Sequence, residues 1–391
     1  VTGRIAIVVH ATYPQDPRIR RQAAALLQAG HQVDVFALRE TDQPGRETID
    51  GVEVHRLPVR RKWYGMVGHM AEYLAFLGVA TVALARAHRQ RHYSLVQVAT
   101  VPDFLALAGV PLKLLGVPLL LDLHEDMPAF YRDRFAGRAQ GALTAVVSGV
   151  TRGSAALATE LLTVHEPLRQ LSLQRGVPPE RITVVMNSPD DRIFDPAAHP
   201  RRGFMEDGEL RLVHHGSIQR LYGLECAVEA VAMLSDLPLR LDVYGDGPYR
   251  SEIEEAIRRT DTADRVRLRG RMPLEQLPGV LADSDIGLVP TRPEPYAEYS
   301  LSTKLLEYAV MGIPIIASDL ATFRAHFDER AIRYVPGADA AALAAAIRAD
   351  VADPAGARAR GDELQRQSAA YAWPEQRRRY LEVIDRLLQR T

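Results

Sequence analysis

The sequence predicts an α/β protein of two doubly wound domains, each a parallel sheet covered by helices. Three observations predict it. Short Val/Ile/Leu runs alternate with longer helical periods along the whole chain, the pattern of strands joined by crossover helices. At 391 residues the chain exceeds what one hydrophobic core usually serves. Between two such series lies Asn187 to Glu209, "NSPDDRIFDPAAHPRRGFMEDGE", rich in Pro, Asp and Arg and without period, which reads as a linker.

The first series places strands at "RIAIVV", "QVDVFAL", "VEVHRL", "SLVQVAT", "PLLLDLH", "LLTV" and "RITVVM", with helical segments after most of them, and sets a first domain at 1–195. The second restarts with "LRLVHHGS" and continues through "LRLDVYG", "RVRLRG", "DIGLVP", "IPIIAS" and "AIRYVP", a domain at 196–372. Alanine-rich helix follows over Ala338 to Asp350, and "WPEQRRRYLEVIDRLLQR" closes the chain. No repeat of solenoid length interrupts this order. Facing domains of this kind put the carboxyl ends of both sheets on one interdomain cleft, where ligands are expected.

Composition narrows the function classes. A formal net charge of −1 is unlike a nucleic-acid binder. The single cysteine, Cys226, cannot form a disulfide within one chain or build a thiolate metal cage, which suits a reducing cytoplasm. "VTGRIAIVVH" opens on an apolar strand, so no signal peptide is expected. The longest apolar run, Tyr73 to Ala85, is about half of what spans a bilayer, and no transmembrane protein is expected.

The stretch "YSLSTKLLEYAVMGIPIIAS", Tyr299 to Ser318, reads as a buried helix running into a buried strand. Ser302 or Thr303 can cap the helix, and Gly312 with Pro314 ends it. Lys304, one of three lysines, then falls in the first turn, where the helix dipole opposes a cation. A charge set against its own helix points to an anion outside, and free N–H groups beside an ammonium make a phosphate cradle. Glu307 shares the face of Lys304. An exposed ion pair is the plain alternative, but the surrounding "LLEYAVMGIPII" is too apolar for a solvated face. A carboxylate there can accept hydrogen bonds from a ribose beside a diphosphate.

The runs "EYSLSTKLLEYAVMGIPIIASD", "VHHGSIQRLYGLECAVEAV", "VYGDGPYRSEI" and "RVRLRGRMPLEQLPGVLADSDIGLVP" resemble the donor half of retaining glycosyltransferases of family 4. "YPQDPRIRRQAAALLQAGHQVDV" and "LLLDLHEDMPAFY" are similar to acceptor-side segments of that family. The resemblance implies the GT-B fold, two Rossmann-like domains around a cleft, with the terminal helix 373–391 returning to the first. It implies that Lys304 and Arg220 hold the diphosphate and Glu307 the ribose, with Ser302, Thr303 and Leu305 adding loop and backbone contacts. The family's earlier glutamate falls on Tyr299 here, with Glu298 one residue before it. Either Glu298 substitutes, or the sugar is read another way.

Further candidates follow from position. Gly245 and Gly247 in "YGDGPYRSE", and Gly216 with Ser217 after "LRLVHH", are small residues that admit a ligand to backbone, although a tight strand-to-helix turn explains them equally. "RGRMPLEQ", with Arg271 and Met272, is expected near the base of the donor. His124 ends the strand "LLLDLH" at its carboxyl end, and a histidine lines the active site at the matching place in the family. Glu125 and Asp126 read first as caps for the next helix, with Glu125 counted on the acceptor side. Asp16 before Pro17 is a good N-cap; Tyr13, Asp16 and Arg18 form the rest of the acceptor-side set, and Arg18, Arg20 and Arg21 crowd one helix N-terminus. Asp283 and Asp285 suggest a metal-binding Asp-x-Asp, but they sit at the amino edge of a strand, so no metal and no cofactor is expected. Arg60, Arg61, Lys62, Trp63 and Tyr64 before an apolar helix read first as a solvated loop ahead of a core helix; their basic and aromatic character also suits anionic lipid, and peripheral contact with the inner face of a membrane is the second reading.

The function expected is transfer of a sugar from a nucleoside diphosphate sugar, of UDP, GDP or ADP form, to a hydroxyl of a glycan, lipid-linked or small-molecule acceptor, with retention and without metal. A sugar-nucleotide epimerase on the same fold, a non-catalytic nucleotide-sugar binding protein and a nicotinamide-dependent dehydrogenase are the competing readings.

Overall fold

The computed structural model describes residues 2–59, 65–129 and 140–390. The chain forms two compact units, one of Val1–Asn187 with Gln376–Thr391 and one of Ser188–Glu375. The division precedes the expected 195/196 boundary because Ser188 Oγ already donates to the carbonyl of Tyr371 in the second unit. Residues 185–209 carry turns but no helix or strand.

The first unit holds an eight-stranded sheet in the order β3-β4-β2-β1-β5-β6-β7-β8. Its strands are β1 (Arg4–Val9), β2 (Gln32–Leu38), β3 (Arg46–Ile49), β4 (Val52–Leu57), β5 (Leu95–Ala99), β6 (Leu119–Leu123), β7 (Glu160–Thr163) and β8 (Ile182–Val184). Seven strands run parallel, and β5 and β6 are buried at every position, as strands covered on both faces must be. β3 pairs antiparallel at the edge. Its alternating exposed and half-buried residues lack the apolar run that marks the others, so the sequence gives no strand signal there.

Tyr73–Ala85 is the middle of a helix spanning Gly65–Arg91. The apolar run alone is short for a bilayer, but Gly68–Arg91 is long and apolar enough to cross one by length and composition. Its Phe76, Ala80 and Leu84, four residues apart, pack into the sheet core with Val8 and Phe36, as a crossover helix does. Met70, Leu74 and Val82 remain exposed. Arg60 to Tyr64, the basic and aromatic loop ahead of it, lies outside the described residues.

The closing helix, Trp373–Leu388, buries Tyr380, Val383, Ile384 and Leu387 on one stripe, and from Gln376 onward it belongs to the first unit. Gln376 Oε1 accepts from the Met186 amide at 2.9 Å, and Arg386 meets the buried Glu160 at 2.9 Å.

The second unit is a six-stranded, wholly parallel sheet in the order β11-β10-β9-β12-β13-β14. Its strands are β9 (Leu210–His215), β10 (Leu239–Tyr244), β11 (Val266–Gly270), β12 (Ile286–Val289), β13 (Ile315–Ser318) and β14 (Ile332–Val335). Strand order reverses between β9 and β12, so the crevice at the carboxyl end of β9 is where a doubly wound sheet binds its ligand. The first unit has its reversal between β1 and β5. Both units are thus Rossmann-like, with His10 and Gly216 following the two first strands.

Candidate active site

In the second unit the helix Thr303–Met311 starts at Ser302, whose side chain makes no capping bond, and ends at Gly312 with φ 67°. Lys304 lies in its first turn and is 5% exposed. Among the described residues no carboxylate comes within ion-pair distance of its ammonium. Its Nζ instead stands 3.8 Å from the centre of the Tyr222 ring. Burial pushes this lysine down to about 8, partly opposed by the Glu307 carboxylate. The result is a desolvated cation held by an aromatic face and a helix N-terminus that disfavours it. An incoming anion would relieve both.

Glu307 is mostly buried and places Oε2 at 3.3 Å from His215 Nε2. Burial holds His215 well below the ordinary histidine range, with Lys304 and His214 adding to the effect. A neutral imidazole therefore faces the carboxylate, its ring edge-on to Tyr308 at 5.0 Å. His214 is pushed down to about 3 by burial and by Lys304, and its Nδ1 lies 3.1 Å from the Leu288 carbonyl.

Beside this pair a cavity of about 380 Å³ is lined by His215, Gly216, Ser217, Gly245, Arg271 and Met272 among others. Five of these residues are ones the sequence singles out for the donor. An added Cβ on Gly216 would stand 3.8 Å from Lys304 Nζ, so the ammonium borders the same turn. Gly245 and Gly247 have a structural cause of their own. At Gly245, φ is 144° and a Cβ would fall 1.8 Å from the Gly216 carbonyl; at Gly247 it would fall 2.2 Å from that of Ile218. The turns after β9 and β10 lie backbone against backbone, joined by Gly216 N–H to Tyr244 O at 2.8 Å and Ile218 N–H to Asp246 O at 3.0 Å.

The remaining donor-side residues are placed as follows. Arg220 is 63% exposed and donates to Glu294 at 2.9 Å. Tyr222, two residues on, takes the place against Lys304. Glu298 accepts from the Ala321 amide at 3.3 Å, at the start of a neighbouring short helix, and Tyr299 closes the turn before Ser300. The amide of Leu305 is already bonded to Ser302 O at 3.1 Å and its side chain is core, which leaves Thr303 and Lys304 as the open end of the helix. Asp285 accepts from the amides of Met205 and Arg211, and Asp283 pairs with the Arg211 side chain, so both carboxylates brace the amino end of β12. Among the described residues no three His, Cys, Asp or Glu side chains are grouped to hold a metal.

In the first unit, Asp16 caps the helix Pro17–Gln28 through the amides of Arg18 and Ile19, and Arg18 folds back on it at 2.7 Å. His124 follows β6, with Nε2 3.0 Å from Asp122 Oδ2. Asp16, Arg18, Asp122, His124 and Glu125 act on one another electrostatically: His124 helps lower Asp16 and Asp122 against their burial, and Asp122 and Glu125 help raise Arg18 against its own. Asp126 accepts from the Ala129 amide at 3.2 Å, a helix cap, and pairs with Arg175 at 2.6 Å. Tyr13 is buried, which pushes its phenol up to about 12. Sequence reasoning passes over His10, at the carboxyl end of β1. Its ring is buried between Tyr73 and Phe76, with Nε2 3.1 Å from Glu72. Its position after a buried strand is the same signal that marks His124, but Glu72 lies far along the chain.

The "Glycosyl transferase 4-like domain" model matches residues 15–188, and the "Glycosyl transferases group 1" model matches 209–353. The chain is 27% identical over 278 residues to a 2-deoxystreptamine glucosyltransferase of Streptomyces kanamyceticus, covering 68% of this chain and 70% of the relative. A sucrose-phosphate synthase from Thermosynechococcus elongatus superposes with a TM-score of 0.80 at 20% identity over 100% of both chains. The Anabaena protein HepE, in complex with UDP and glucose, superposes with a TM-score of 0.72 at 15% identity over 98% of this chain and 100% of that one. With one glycosyl transferase domain matched on each of its two Rossmann-like units, the chain is a glycosyltransferase of the GT-B fold.

Proposed function

We propose that this glycosyltransferase takes its sugar from a nucleoside diphosphate sugar and, as in family 4, transfers it with retention and without a metal ion. The C1–O bond to the diphosphate breaks, a bond from the acceptor hydroxyl oxygen to C1 forms on the same face, and the hydroxyl proton leaves with the phosphate oxygen. The transition state is oxocarbenium-like, and stabilising the departing negative charge lowers the barrier. The observation that carries this reading is the buried Lys304 ammonium, without a carboxylate partner among the described residues, beside the Gly216 turn.

In this reading Lys304 and the open N-terminus of its helix meet the diphosphate, and Glu307, steadied by neutral His215, accepts from the ribose hydroxyls. Arg220 joins by exchanging Glu294 for phosphate. Arg271 and Met272 border the base, and His124 faces the transferred sugar. HepE with UDP and glucose supports a uridine donor by analogy. Lys304→Ala should lower turnover about 100-fold or more with the fold intact, since one such donor contributes about 2.7 to 4 kcal/mol; near-normal turnover overturns the assignment. Acceptor-dependent release of nucleoside diphosphate separates transfer from epimerisation. The anomeric configuration of the product, read by NMR, tests retention, and unchanged rates in EDTA test metal independence.

A cytoplasmic location at an anionic membrane is part of the same proposal. Exposed Met70, Leu74 and Val82 on the helix that follows the basic stretch Arg60 to Lys62 support it. Equal flotation with neutral and anionic vesicles would argue against it.

A further inference from the structure

A line of buried polar side chains joins the closing helix of the first unit to His124. Tyr380 Oη lies 2.7 Å from Gln97 Oε1, Gln97 Nε2 lies 2.8 Å from Gln22 Oε1, and Gln22 Nε2 lies 2.8 Å from Asp122 Oδ2. The same carboxylate oxygen stands 3.0 Å from His124 Nε2. Tyr380 and Gln97 are fully buried, and Asp122 and Gln22 are nearly so.

The direction of every bond in the line follows from its charged end. An ionised carboxylate only accepts, so Gln22 must present its NH₂ to Asp122 and therefore its carbonyl to Gln97. Gln97 must then present NH₂ to Gln22 and its own carbonyl to Tyr380, which leaves the tyrosine to donate. The histidine end obeys the same rule. The approach of Nε2 to Asp122 is close but oblique, outside good hydrogen-bond alignment. A lone pair on Nε2 would nonetheless lie 3.0 Å from an oxygen anion and be repelled, whereas a proton there is attracted, so Nε2 carries the proton. In its neutral form His124 then keeps its lone pair on Nδ1, which meets no hydrogen-bond partner among the described residues.

We infer that Tyr380, Gln97, Gln22 and Asp122 are positioning residues that fix His124 as the Nε2–H tautomer, so that Nδ1 accepts a hydrogen bond from a hydroxyl of the bound sugar. The closing helix is thereby part of the active-site machinery of the first unit, acting through a line of four side chains. The second-layer partner of a functional histidine commonly sets its tautomer and ring orientation. This inference rests on the reading that His124 lines the sugar site.

The test uses the full-length protein with ¹⁵N-labelled histidine and long-range proton–nitrogen correlation, alongside steady-state rates. At the alkaline end of a pH titration, where the ring is neutral, wild type should show His124 protonated at Nε2 and bare at Nδ1. Asp122→Asn should mix the tautomers and lower kcat by about tenfold or more. Tyr380→Phe, which removes one hydroxyl and keeps the ring, should shift the His124 signals and lower kcat about threefold or more at unchanged donor KM. A His124 spectrum identical to wild type in both variants overturns the inference. If Asp122→Asn does not fold, Tyr380→Phe decides alone. His124→Ala separates the two levels: wild-type turnover in it sinks the placement of His124 at the sugar and hence the catalytic part of this inference. An inactive His124→Ala with unmoved spectra in the other variants sinks the relay alone.

Discussion

Methionine in place of Lys304 removes a buried ammonium while keeping most of the side chain's volume. Burial holds that group at about 8 instead of 10.5. Below about pH 8 the lysine is protonated in both folded and unfolded chains, so the whole cost of burying the charge is present. Between about pH 8 and 10.5 the folded lysine is neutral while the unfolded one keeps its proton, and stability rises with pH. At 1.36 kcal/mol per tenfold change, the gap amounts to about 3 kcal/mol. Lys304→Met should therefore raise the unfolding free energy at pH 7 by up to about 3 kcal/mol, several degrees in Tm. That gain should fade toward pH 10.5. The same variant should turn over at least about 100-fold more slowly. Urea unfolding at pH 7 and pH 10, with initial rates at pH 7, measures both. A variant less stable than wild type at pH 7 would refute the buried, unrelieved charge, and near-normal turnover would refute its role toward the leaving group.

Other outcomes follow from the same geometry. kcat/KM for the donor should fall above about pH 8 as free Lys304 loses its proton, and a flat profile to pH 9.5 would contradict this. Tyr222→Leu removes the ring 3.8 Å from Nζ and should move that limb to lower pH, since such a contact contributes about 0.5 to 2 kcal/mol; an unmoved limb counts against the pairing. Glu307→Ala should weaken donor binding in calorimetry, and unchanged affinity would contradict the ribose assignment. Gly245→Ala must place a Cβ 1.8 Å from the Gly216 carbonyl. It should cost at least about 2 kcal/mol in denaturant unfolding, and a neutral substitution would mean the two turns can part freely.

Much of this architecture is legible in the residues because buried parallel strands are continuous apolar runs; β6, "LLLDL", is buried throughout and stands out at once. β3 escapes notice because an edge strand needs no apolar face. Lys304 is legible because a cation in the first turn of an apolar helix contradicts both dipole and burial. Its partner is not, since Tyr222 reaches it only through a tight turn closed by Gly223 at φ 63°. The engagement of Arg220 with Glu294 and the packing of Gly245 on Gly216 are likewise contacts between segments distant along the chain. Periodicity reports what one segment buries, and it is silent on which loop stands opposite.

Because residues 376–391 complete the unit that the chain begins, the order of synthesis differs from the order of completion. The ribosome delivers every residue of the second unit before the last helix of the first. The first sheet must therefore wait with the seat for Tyr380, Val383 and Ile384 uncovered while its neighbour already has all it needs to fold. From residue 188 until the closing helix emerges, that apolar patch of the first sheet has no cover of its own.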